Sequence, residues 1–402
     1  MQAQRPTGWR RELLLLYASM TVARVGFGVM IILFPSYLAR SSNVSLAVVL
    51  ALYPLTEAAT AVPLGILCDR QGRRRVFLGG LALMGGLIAT IALTQNVLLV
   101  AALHALMGLA AAAIAVSSLT MITDLTNAGN RGKGMGAFDF SNIGGYAGGL
   151  LVGGLLSEAF KANLGNAFFV TASLMIVALG VSYFLLKEPG HATDEGKGTV
   201  SLNPFAGMDQ RTKAILPIWL SLTSLIGIVF FLPRALRQVG IHETLTGVLL
   251  FAGIMTIGLG SIGFGALSDR LGREKTMAIG AAGLFGLLVG LALLFQDIGS
   301  GLNVIRFLPI LGPAGIATSA LVPSVLAAVG DRAKEGKKGA TMGLYSLMLS
   351  LGIAFGELLA GFASLLGGLS TILYAGSVIF LGASLLTFYQ LRRVRRNEAT
   401  RP

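Results

Sequence analysis

Twelve apolar runs govern what this chain can become. They fall near 13–38, 44–67, 76–95, 97–123, 135–159, 164–187, 214–236, 243–267, 275–296, 302–328, 340–366 and 369–391. A run of about 20 apolar residues is long enough for a helix to cross the hydrocarbon core of a bilayer. The expected fold is therefore an all-α membrane protein with twelve transmembrane helices in two sets of six. Composition agrees: 54% of residues are hydrophobic, only 12% are charged, and mean hydropathy is +0.77. A soluble domain would carry roughly 25% charged residues. The 54 glycines among 402 residues imply helices in close backbone contact.

The formal net charge of +13 would suggest nucleic acid in a soluble protein, but its placement decides otherwise. Of the 31 Lys and Arg, 25 fall in one alternate set of loops and ends, including 70–75, 131–133, 187–213, 270–275, 332–338 and the tail from Arg392. The opposite set holds only Arg40, Lys161, Arg234 and Arg237. By the positive-inside rule the basic set is cytoplasmic, so both termini face the cytosol of a multi-pass plasma-membrane protein. No nucleic-acid partner is expected. The one cysteine, Cys68, rules out an internal disulfide and a thiolate metal site, and reads as an apolar filler. The basic N-terminus runs into Leu13–Leu38, which reads as a retained first span rather than a cleaved signal.

Polar residues from Glu188 to Thr212 separate the two sets of spans. The expected organisation is a bundle over 1–187, a cytoplasmic linker over 188–213 with room for a surface helix or short strands, and a second bundle over 214–402 ending in a basic tail. The halves repeat one another. Gly65-Ile-Leu-Cys-Asp69-Arg-Gln-Gly72-Arg73-Arg74 has a copy two hundred residues on, Gly265-Ala-Leu-Ser-Asp269-Arg-Leu-Gly272-Arg273-Glu274. Asp124 is matched by Asp331, and Gly136, Gly145, Gly149 and Gly154 by Gly343, Gly352, Gly356 and Gly361. Parallel six-helix repeats related by an axis along the membrane normal imply a substrate site near the midplane and alternating access.

With these motifs the chain resembles the major facilitator superfamily over essentially its whole length, most of all the twelve-span drug and metabolite:proton antiporters. The Gly-x-x-x-Asp-Arg-x-Gly-Arg-Arg turn between spans two and three is that family's most specific signature. The second copy departs from it at Glu274. The resemblance implies a cytoplasmic gate in which Gly65 approaches span eleven, Asp69 faces that helix's N-terminal end, and Arg70 or Arg73 bridges to Asp124, with Gly72 at the turn. Gly265, Asp269, Arg270 or Arg273, Gly272 and Asp331 would do the same against span five. The glycines Gly145, Gly149, Gly153 and Gly154 of span five resemble the family's antiporter pattern, with Leu150 where that pattern has proline. Gly352, Gly356 and Gly361 repeat them in span eleven.

Charge within a span is costly and points to function. Arg24 on span one and Glu57 on span two both lie about 18 Å from the inner surface at 1.5 Å per residue, so an ion pair linked to proton or substrate coupling is expected. A permanent structural pair is the competing reading. His104 stands where many members carry Arg and is either a proton site or substrate donor, or a hydrogen-bonded helix contact. Glu357 on span eleven has no basic neighbour in sequence and is a protonation candidate. Asp139, one turn into span five, is expected to pair with Arg270 or Arg273, and Arg306 to snorkel to the interface. Trp219, Ser221, Thr223 and Ser224 on span seven offer aromatic and hydroxyl surface to a cavity or to packing.

The expected function is secondary active transport of a small organic solute, by proton-coupled efflux or alternatively by import, through proton symport or facilitated uniport, of a small metabolite such as an anionic one. The partners implied are the solute, protons and the lipid bilayer, and the chain is expected to act as a monomer. No cofactor, metal or enzymatic activity is expected, because there is no metal-spaced cluster, nucleophile motif or Walker motif.

Overall fold

A computed structural model describes residues 9–126, 131–188, 209–296, 304–330 and 338–399. These residues form helices α1 Trp9–Tyr37, α2 Asn43–Gln71, α3 Arg73–Ile91, α4 Val97–Leu125, α5 Arg131–Ala159, α6 Leu164–Leu185, α7 Gln210–Gln238, α8 Glu243–Leu271, α9 Arg273–Gln296, α10 Val304–Thr318, α11 Leu321–Gly330, α12 Lys338–Ala363 and α13 Leu369–Ala399. Among the described residues there is no strand. Ten helices are long and apolar enough to cross a membrane, and Leu347–Ala363 adds a shorter apolar stretch. The chain is thus an all-α membrane protein whose twelve spans form two six-helix bundles. Of the expected linker, 189–208 lies outside the described residues, and α7 begins at Gln210, capped by the Asp209 carboxylate accepting from Thr212 N–H.

Two features depart from the apolar runs. Span ten is broken into α10 and α11 at Ser319 and Ala320, whose N–H groups bond three residues back to Ile316 and Ala317. Pro323, in the first turn of α11, has no N–H to offer the Ser319 carbonyl, and Ser261 on α8 donates to that carbonyl instead at 3.1 Å. The helices also overrun the apolar runs at the charged turns, so that Asp69 and Arg70 fall in the last turn of α2 and Arg270 in the last turn of α8. What ends them is the following glycine: Gly72 has φ +94° and Gly272 φ +89°, a left-handed conformation that other residues rarely adopt.

Packing repeats between the halves. α1 packs on α5 as α7 packs on α12, and α3 sits between α4 and α6 as α9 sits between α10 and α13. Contacts divide the described chain into two units. The first comprises described residues of Met1–Ser41, Leu52–Leu202 and His242–Phe251; the second those of Ser42–Ala51, Asn203–Ile241 and Ala252–Pro402. Each unit thus includes the opening turns of either α2 or α8. In the first, Ser36 donates to the Glu243 carboxylate at 3.1 Å, and a side chain at Gly154 would meet Glu243 O at 2.7 Å. In the second, Arg234 and Gln238 donate to Asn43 Oδ1 at 3.0 and 3.2 Å, and a side chain at Gly361 would strike Ala47. The first residues of α2 and α8 therefore play equivalent parts, opposite a matched pair of glycines.

Candidate functional site

Arg24 occupies the centre of the α1–α5 contact, and glycines make room for it. A Cβ at Gly145 would lie 2.6 Å from Arg24 Cβ; one at Gly149 would strike Val25 O; one at Gly153 would lie 3.0 Å from Val29 O. Spaced four apart, these glycines line one face of α5 and let the two backbones touch. In that contact the Arg24 guanidinium donates from Nε to Asn142 Oδ1 at 2.6 Å and from Nη1 to Tyr146 Oη at 2.9 Å. It also sits 5.1 Å from the Phe27 ring centroid and 5.2 Å from that of Tyr146, a cation–π arrangement. Asn142 is itself oriented by donating to Phe138 O at 2.9 Å.

The hydrogen bonds of Arg24 thus go to neutral partners on α5 rather than to Glu57. Glu57 acts on Arg24 and Tyr146 as a nearby negative charge and is half-buried on α2. Its backbone is drawn against α4 by Gly108, where a Cβ would lie 3.0 Å from Glu57 N and would collide with Tyr53 O. One turn before Gly108, His104 is buried between Phe34, with ring centroids 4.3 Å apart, and Tyr53, stacked at 5.3 Å and 23°. His104 Nδ1 has no hydrogen-bond partner among the described residues.

In the second unit Glu357 is only 2% exposed, and its Oε2 has no hydrogen-bond partner among the described residues. It lies at the α7–α12 contact, where a Cβ at Gly227 would come 2.8 Å from Glu357 N. Gly352 and Gly356 face Leu220 to Ser224 of α7 as Gly145 and Gly149 face α1. Ser221, Thr223 and Ser224 of α7 are buried. Trp219 is 2% exposed; Ser221 and Ser224 donate to carbonyls of their own helix, Ile218 O and Ser221 O; Thr223 Oγ1 lies within hydrogen-bonding distance of Trp219 O, Leu220 O and Met348 O. These hydroxyls are satisfied by backbone, as buried hydroxyls in a helix commonly are.

At the first charged turn, Arg73 is buried and bridges Asp124 at 3.0 Å and Asp69 at 3.5 Å. Its Nε lacks hydrogen-bonding geometry despite the short contact, so the attraction is chiefly that of charges. Arg70 points to solvent, and Gly65 faces Val116 of α4 at 3.7 Å. Sequence reasoning missed Glu188. Its carboxylate accepts from the N–H groups of Arg73 and Arg74 at 2.7 and 2.9 Å, satisfying the exposed N-terminus of α3. Arg74 in turn donates to Leu186 O at 2.6 Å and to Tyr183 O. The equivalent Glu274 reverses the sign and is held by Arg395 on α13 at 2.5 Å. Position 74 and its copy thus each staple the helix after the turn to the last helix of the bundle, with opposite charges.

In the second turn Arg273 donates to Ser268 Oγ at 3.2 Å, Arg270 is exposed, and Gly265 would admit a Cβ without contact. Asp331 and the side chains of Asp139 and Asp269 lie outside the described residues, as does Gly343 beyond its backbone. Arg306 is exposed, 6.0 Å from the Phe307 ring. Asn142 and Tyr146 had a sequence signal, polar groups within one turn of Gly145 in a span rich in small and apolar residues. The aromatic neighbours of His104 had none, since aromatic residues within a span are ordinary packing.

Comparison with known proteins gives one answer at the level of family. The model described as Major Facilitator Superfamily matches residues 16–312 and 218–402. Multidrug resistance protein MdtG of Escherichia coli O9:H4 (strain HS) is 23% identical over 338 residues, 80% of each chain. Among solved structures, a bacterial homologue of the human lysosomal transporter Spinster, in an inward-facing and unoccupied conformation, superposes with TM-score 0.81 at 14% identity, covering 97% of this chain and 98% of its own. The nucleoside transporter NupG gives TM-score 0.74 at 12% identity over 95% and 98% of the two chains.

Proposed function

Because the chain belongs to the Major Facilitator Superfamily and is a membrane transporter of small molecules, we propose that it exports a small organic solute in exchange for protons. The observation that carries proton coupling is the buried Glu357 carboxyl, whose Oε2 has no hydrogen-bond partner among the described residues. An ionised carboxylate in apolar surroundings demands a counter-charge or a proton, and among the described residues no ion pair engages Glu357. Export is supported by the likeness to a multidrug resistance protein. Arg24 and Glu57 form a second charged site within the first unit, where Glu57 is the group that exchanges a proton as Arg24 shifts between its α5 partners and solute. The turn at 65–74 serves as the cytoplasmic latch, with Arg73 between Asp69 and Asp124 at its centre.

A second reading, import of an anionic metabolite, is favoured by the hydrogen bonds of Arg24, which go to the neutral Asn142 and Tyr146 and leave Glu57 as a nearby charge only. Proteoliposomes holding the full-length protein and a panel of cationic, neutral and anionic solutes separate the two. On the first reading an imposed proton gradient drives accumulation of a cationic or neutral amphiphile, and Glu357→Gln or Glu57→Gln abolishes uphill movement while solute exchange persists. Unaltered pH-driven accumulation in both variants sinks proton coupling through these residues. Saturable uptake of an anion, lost in Arg24→Gln, supports the second reading instead.

A further inference from the structure

Beside the first charged turn lies an open cavity of about 650 Å³, lined by Arg70, Arg74, Arg75, Tyr183, Phe184 and Lys187 among others. Its lining includes none of Arg24, His104 or Glu357. We propose that it binds the headgroup of an anionic phospholipid from the cytoplasmic leaflet.

Charge is the first ground. Arg70, Arg75 and Lys187 are exposed, and no ion pair engages their side chains among the described residues. Arg74 is held in place by Tyr183 O and Leu186 O, with its guanidinium 5.5 Å from the Tyr183 ring centroid. Those partners are carbonyls and a ring face, so its positive charge is kept. The one carboxylate in the lining, Glu188, is committed to the Arg73 and Arg74 N–H groups at the start of α3. Four cations against one engaged carboxylate leave a strongly positive hollow.

Position is the second ground. Tyr183 and Phe184, on the last turns of α6, are 57% and 81% exposed, and α6 has the length and hydropathy of a membrane span with a third of its apolar window buried. Exposed aromatic rings at the end of a span sit at headgroup level. A hollow that is basic on its aqueous side and rimmed by aromatic rings on its lipid side suits a phosphodiester joined to acyl chains better than a soluble anion, which has no use for the rim. Basic clusters of this kind on the cytoplasmic side attract anionic lipids.

The second half provides an internal comparison. The corresponding hollow, beside Gly272, is about 300 Å³ and contains Glu274 bridged to Arg395. Charge reversal at the copy of Arg74 leaves that hollow smaller and less positive, with Arg273, Lys275 and Arg395 against a Glu274 already bridged to Arg395, so the headgroup site is assigned to the first half.

Native mass spectrometry of the full-length protein in mild detergent, titrated with phosphatidylglycerol or phosphatidylcholine, tests the proposal. Phosphatidylglycerol should bind more tightly, with the preference shrinking as salt rises. The double variant Arg75→Gln/Lys187→Gln should weaken it about thirtyfold, from the loss of two basic groups near the headgroup. Lys275→Gln, the same change at the copy of Arg75, should leave binding unaltered, and Lys187→Gln alone should give an intermediate loss should the double variant fold poorly. Equal affinity for the two lipids, indifference to the Lys187 change, or displacement by inorganic phosphate at the concentration of the lipid would each overturn the assignment, the last by making this a free-anion site.

Discussion

Neighbouring glycines of α5 do different work, and only their facing atoms distinguish them. Gly144 would admit a Cβ with nothing within 4 Å, whereas at Gly145 a Cβ would lie 2.6 Å from Arg24 Cβ and 2.8 Å from Thr21 O. Forcing a methyl into such a contact costs about 1–3 kcal/mol in strain, while alanine in open helix relieves about 0.5–1 kcal/mol of glycine's backbone entropy. Gly145→Ala should therefore lower the thermal unfolding midpoint of the detergent-purified protein, and Gly144→Ala should hold or raise it. The same reasoning explains why Arg24 could be located by sequence and its partners could not. Its depth follows from counting residues along a helix, but which helix face meets it depends on where α5 can approach, and the glycines on α5 direct it to Asn142 and Tyr146.

At the level of elements, the two charged turns share a design and differ in their fastening. Each ends a long helix at a glycine with positive φ, and each follows it with a helix that needs its first N–H groups satisfied. In α3 Glu188 supplies the acceptor; removing an N-terminal cap costs about 0.5–2 kcal/mol. Glu188→Ala should thus destabilise the protein by about that amount in thermal or denaturant unfolding, and Glu188→Gln by less, since an amide oxygen still accepts. Glu274→Ala should have a smaller effect, because Glu274 and Arg395 are partly exposed and such pairs contribute about 0–1 kcal/mol. The break in span ten is the other element-scale feature. Pro323 was visible in the sequence, but a proline in an apolar run is compatible with a kinked single helix, and Ser261 on α8 is what satisfies the released carbonyl.

For the whole molecule, the charge census makes a claim about orientation that can be checked with one reagent. Cys68 is buried, so the native chain should react little with a membrane-impermeant maleimide. Lys161→Cys, at the exposed turn after α5, should label in intact cells. Lys275→Cys, at the exposed start of α9, should label only after the membrane is opened. The reverse pattern would invert the topology and with it the cytoplasmic assignment of both turns.

What the sequence determined by itself was class, span number, duplication and the sites of the turns. Those properties depend on local quantities: the length of an apolar run, the spacing of glycines, the bias of Lys and Arg, and a glycine where φ must be positive. Tertiary structure decided who partners whom. It gave Arg24 the hydrogen-bond partners Asn142 and Tyr146, enclosed His104 between Phe34 and Tyr53, turned the hydroxyls of α7 onto backbone carbonyls, and fastened position 74 and its copy with opposite charges. Each of these depends on which helix faces come together. In a bundle whose helices are apolar nearly all round, hydrophobic periodicity does not choose the face; close backbone approach at glycines does, and that is a property of two segments at once.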